Sequence, residues 1–126
     1  MKTNAYQAYR HVSVQSASPV GLVVILYDSA LRSLYQAMQA IDSGKIEERT
    51  ACLNHALDII GHLDGSLDLE IGGDTARTLS DFYSYTRARI LEAGITNSRD
   101  KLAGLAVHLT DLRNAWQQVD STAVLQ

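Results

Sequence analysis

The only proline in the chain is Pro19. Proline breaks a helix interior but is tolerated in the first helical turn, and Ser18 before it is a favoured N-cap residue. A long helix is therefore free to start at Pro19, and nothing after it forbids further long helices. Reading forward at about 3.6 residues per turn, Val20, Val23, Val24, Tyr27, Ala30, Leu31, Leu34, Met38 and Ile41 fall on one face. Leu22, Ile25 and Leu26 point away from that face and form a second apolar patch that needs a cover. Two covers fit. Either the helix is buried on several sides, with the chain's own N-terminus included, or the patch is a groove for a partner, and an arm exchanged for a ligand satisfies both.

The first helix is expected from Pro19 to Ile41, closing at Asp42-Ser43-Gly44, where glycine suits a C-terminal cap. A second runs from Ile46 to Leu67 with Leu53, Ala56, Leu57, Ile60 and Leu63 inward. Ile59 and Cys52 lie at the edge of that stripe, and Gly61 and Gly65 are spaced for close approach of another helix. Glu70-Ile71-Gly72-Gly73 interrupts the pattern, and Asp74 is the expected N-cap of the third helix. Its inner stripe is Leu79, Phe82, Tyr83, Thr86, Ile90 and Ala93, with Tyr85, Arg87 and Arg89 lateral or outward. Ala93-Gly94-Ile95 ends it, and Asn97 or Ser98 caps the fourth, whose Leu102, Leu105, Leu109, Leu112, Trp116 and Val119 recur at steps of three and four.

Four such helices with short linkers predict an all-α, antiparallel up-down four-helix bundle. Residues 17–121 form the bundle. Residues 1–16 carry Tyr6, Tyr9, Val12 and Val14 at spacings that make no helical stripe, and read as an N-terminal arm lying on it. Residues 122–126 read as a flexible tail. Tyr83 and Trp116, on inner stripes, belong to the scaffold.

The chain has 126 residues, 46% of them hydrophobic, a net charge of −3 and a pI near 5.7. That length holds one core, and the acidic balance with dispersed arginines argues against nucleic acid. No apolar run approaches a membrane span, and Met1-Lys2-Thr3-Asn4-Ala5-Tyr6 lacks the apolar core of a signal peptide, which points to the cytoplasm. The single Cys52 has no internal disulfide partner and no activating basic neighbour.

Enzyme chemistry finds little support. A carboxylate-bridged metal bundle needs inward Glu-x-x-His pairs, and Glu47, Glu48, Glu70 and Glu92 supply none. His55, Asp58 and His62 share a helical face that reads as solvated polar surface rather than a metal site, since nothing completes the ligand set. No phosphate-binding loop or nucleophile motif is present, and no cofactor is expected.

Several motifs in order carry a resemblance. Ala5-Tyr6-Gln7-Ala8-Tyr9, Ala17-Ser18-Pro19 with Leu26-Tyr27-Asp28, Phe82-Tyr83-Ser84-Tyr85 with Arg89-Ile90-Leu91-Glu92-Ala93, and Leu109-Thr110-Asp111-Leu112-Arg113 with Trp116 together resemble the flagellin-specific export chaperone family, FliS. The match spans about residues 4 to 119. It departs at Val20-Gly21, where the family often has an acidic pair, and at Gly94, where asparagine is common. The resemblance implies a small cytoplasmic four-helix chaperone that binds the disordered C-terminal segment of flagellin, prevents premature polymerisation and assists delivery to the flagellar export machinery. An adaptor for another secretion or signalling partner would share the same bundle. Under either reading Leu22, Ile25, Leu26 and Ile59 are the expected partner surface, with Tyr6 and Tyr9 as a movable cover or direct contacts.

Overall fold

The computed structural model describes residues 7–9 and 19–125, with side chains to residue 119. Tyr6 and Ser18 lie outside the described residues. Four helices follow one another, α1 (Pro19–Asp42), α2 (Ile46–Gly65), α3 (Leu69–Thr96) and α4 (Arg99–Leu125), and no strand occurs among the described residues. α1 packs against α2 and α4, and α3 closes the ring against the same two neighbours. The cross-links fix the directions. Asp28 of α1 pairs with Arg113 and Asp42 with Arg99, so α1 rises as α4 descends. Ser33 meets His55 and Gln36 meets Cys52, giving α2 the same opposite sense. The two ion pairs are partly solvated, so they report register more than stability.

Local chemistry explains the turns. Gly44, at φ +68°, ends α1, with its N–H on the Ile41 carbonyl and the Lys45 N–H on the Ala40 carbonyl, a pairing that satisfies two carbonyls left open by the last turn. At the α3–α4 corner Asn97 takes the left-handed conformation and Ser98, not Asn97, caps α4 by accepting the Lys101 N–H at 3.3 Å. α3 begins six residues earlier than the sequence pattern suggests. Asp68, not Asp74, is its N-cap, accepting the Ile71 N–H at 2.9 Å. The double glycine interrupts without being a linker: residues 69–72 are already helical, and Gly73 (φ 57°, ψ −135°) kinks the helix there in a conformation costly for any side chain. Gly61 and Gly65 do not mediate a tight helix contact, since a Cβ at Gly61 meets only Arg87 Nη1 at 3.5 Å and one at Gly65 meets nothing within 4 Å.

The kink serves residues 7–9. Ala8 and Tyr9 are buried in the main core, and the Ala8 carbonyl accepts the Asp68 N–H at 2.7 Å. A Cβ on Gly72 would lie 2.9 Å from Ala8 Cα and 2.7 Å from Ala76 Cβ. Only glycine lets the first turn of α3 meet this segment so closely. Gly72→Ala is therefore expected to lower stability by about 1–3 kcal/mol, read as a shifted urea midpoint; an unchanged midpoint would show that the segment yields without loss.

Candidate functional site

The apolar surplus of α1 is real at its centre and graded at its edges. Ile25 is 55% exposed, whereas Leu22 and Leu26 are half-buried and Leu26 packs against the core. Leu26 sits two turns before Ser33 on the side of α1 facing α2, where the Ser33 hydroxyl lies 2.6 Å from His55 Nδ1. Ile59 is one turn beyond His55, on the α2 bank of that seam, but only 8% exposed. The surface thus offers Ile25 fully, Leu22 and Leu26 along one flank, and Ile59 as little more than an edge. His55, whose ring engages Ser33, belongs to no cluster of three or more potential metal-ligating side chains among the described residues.

Tyr9 sits elsewhere. It is 1% exposed, and its ring meets Trp116 edge-on at 5.3 Å between centroids. Its hydroxyl donates to the Leu63 carbonyl at 2.8 Å and lies 2.8 Å from the Tyr83 hydroxyl, itself 2.7 Å from that of Tyr27. Leu63 can only accept. With the Tyr9 proton directed there, Tyr83 donates to Tyr9 and Tyr27 to Tyr83, so each of the three hydroxyl protons has an acceptor. The Trp116 indole N–H is buried without a hydrogen-bond acceptor among the described residues. Tyr83 and Trp116 are core, as their stripes indicated.

Two of the hollows among the described residues border α2. A polar one of about 650 Å³ at the α1–α2 turn is lined by Gln36, Gln39, Lys45, Glu48 and Cys52 among others, and gathers no buried polar groups that would orient a small ligand. An apolar one of about 190 Å³ runs between α2 and α3 past Arg49, Leu53, Leu57, Ile90, Leu91 and Ile95. The sequence pattern did not single out Leu91 and Ile95, although their four-residue spacing off the inner stripe was the available signal.

A helical platform with apolar seams is the setting in which the comparisons fall. The sequence profile described as "Flagellar protein FliS" matches residues 2–123. The chain belongs to the FliS family. It is 33% identical to the flagellar secretion chaperone FliS of Salmonella typhimurium over 125 residues, covering 95% of this chain and 93% of that one. Identity is 33% over 115 residues to flagellar secretion chaperone FliS of Bacillus subtilis, covering 91% and 85%, and 31% over 119 residues to flagellar secretion chaperone FliSB of Pseudomonas aeruginosa, covering 91% and 94%. The FliS resemblance thus holds across the bundle and the preceding segment. No described helix is long and apolar enough to cross a membrane.

Burial raises all three core phenols, Tyr27 to about 12, with Tyr9 and Tyr83 also well up. The unfolded chain releases these protons near pH 10. Stability from this source is therefore fully present below pH 10 and falls above it, because the unfolded state then binds fewer protons than the folded one. With three groups the slope reaches roughly 4 kcal/mol per pH unit. Urea unfolding between pH 8 and 11.5 should show the fall, and Tyr27→Phe should flatten it; equal slopes in both proteins would contradict this assignment.

Proposed function

We propose that the protein is a cytoplasmic export chaperone that holds the disordered C-terminal segment of flagellin, prevents its premature polymerisation and assists its delivery to the flagellar export machinery. The observation that carries this reading is the conjunction of whole-chain membership in the FliS family with an apolar α1 surface that the bundle leaves open at Ile25. A segment without a core of its own buries its apolar face on such a seam and folds as it binds. The ordering costs about 2–5 kcal/mol, which buried apolar area must offset. No nucleotide or metal is needed for this.

Leu22, Ile25, Leu26 and Ile59 are the proposed contacts. Ile25 is directly available, Leu22 and Leu26 extend the contact toward α2, and Ile59 joins only at its edge. Tyr6 and Tyr9 are proposed as a movable cover or as direct contacts. For Tyr9 either role requires lifting a ring that now seals the core, so opening would subtract from client affinity.

Calorimetry with full-length flagellin and with flagellin lacking its C-terminal segment tests the reading. A one-to-one complex is expected for the first and none for the second; equal affinity would overturn it. Ile25→Asp is the variant of choice, because the residue is outside the core while Leu26 packs against it. It should weaken flagellin binding at least tenfold, about 1.4 kcal/mol or more, with an unchanged circular dichroism spectrum. Unaltered affinity would move the contact surface off α1.

A further inference from the structure

The groove between α2 and α3 combines two properties. Leu91 and Ile95, 55% and 86% exposed, stand four residues apart on one wall, above a floor made by the buried Leu53 and Ile90 and the half-buried Leu57. Single exposed apolar residues are ordinary, but a contiguous strip over an apolar floor marks a contact surface. At about 190 Å³ it falls below the roughly 300–1,000 Å³ of small-molecule sites and suits inserted side chains instead.

The second property is an incompletely met cation at one end. Arg49 donates from Nη1 to Asn97 Oδ1 at 2.7 Å, and from Nη2 to Thr50 Oγ1 at a long 3.5 Å. Its Nε is closed off from water without an acceptor. Every oxygen it reaches among the described residues is neutral, whereas Arg87 at the far end of the same helix pair is neutralised by Asp64 at 3.1 Å. A guanidinium held by neutral oxygens alone gains most from a carboxylate, whose charge-assisted bonds are roughly twice as strong as neutral ones.

We propose that this groove is a docking site for an amphipathic helix of a partner protein, distinct from the α1 surface. The helix would carry two apolar residues one turn apart and a carboxylate one turn further on. The antiparallel packing of α2 and α3 sets the order of contacts along the groove: the apolar pair lies along Leu57, Leu91 and Ile95, and the carboxylate arrives at Arg49, replacing the weak Nη2 contact to Thr50. The proposal does not depend on flagellin being the client.

The probe is a fluorescein-labelled, helix-stapled peptide with leucine, isoleucine and glutamate at that spacing, compared with its glutamine counterpart by anisotropy on the full chain. The glutamate peptide should bind five- to tenfold more tightly than the glutamine one. That preference should shrink below twofold on Arg49→Met, and Ile95→Asp, which alters an exposed residue, should abolish binding of both. A preference that persists on Arg49→Met, binding unaffected by Ile95→Asp, or no binding at all would overturn the proposal. So would a concentration-dependent dimer in sedimentation that Ile95→Asp dissolves, since the groove would then belong to a second copy of the chain.

Discussion

The chain of hydroxyls from Tyr27 through Tyr83 to Tyr9, ending on the Leu63 carbonyl, is the interaction on which the bundle's closed end depends. It ties α1, α2, α3 and the segment before α1 at one point of a core otherwise made mostly of aliphatic side chains and alanine. Buried hydroxyls are costly unless paired, and here each proton has an acceptor only while Tyr9 is seated. The network therefore reports whether residues 7–9 are in place. Around it, Trp116 supplies an edge contact to Tyr9, and Gly72 supplies the clearance that lets Ala8 reach Asp68.

This division of labour separates scaffold from surface. The aromatic cluster is buried and hydrogen-bonded, while α1 turns Ile25 outward two residues from Tyr27, which points inward to the network. Both belong to one short run, Ile25-Leu26-Tyr27. A partner that gathers apolar area on the outer face touches a helix whose inner face is fixed. Such a preformed platform would suit the proposed client segment, since little of the binding free energy would go into ordering the platform itself.

Helix number, order and inner stripes were legible because periodicity is a local property, and Pro19, Gly44 and Ser98 carry their meaning in the residues beside them. The start of α3 was not, because Asp74 and Asp68 are both acceptable caps and the choice turns on Ala8, some 60 residues away. Tyr9 was equally opaque: its partners lie 54 and 74 residues along the chain, and its irregular flanks indicated an arm without indicating where the ring goes. The apolar patch on α1 could be seen in the sequence, but not that Leu26 leans into the core or that Ile59 is nearly covered. Leu91 and Ile95 went unread because an off-stripe pair near a helix end looks the same whether a neighbour covers it or not.

Photo-crosslinking tests whether the proposed client lies on the outward face of α1 while the bundle stays closed. A benzoylphenylalanine placed at position 25 and, separately, at Val107 on the exposed face of α4 would be irradiated in the presence of full-length flagellin. Crosslinks to the flagellin C-terminal segment are expected from position 25, with few or none from position 107. Crosslinks from 107 with none from 25 would contradict it.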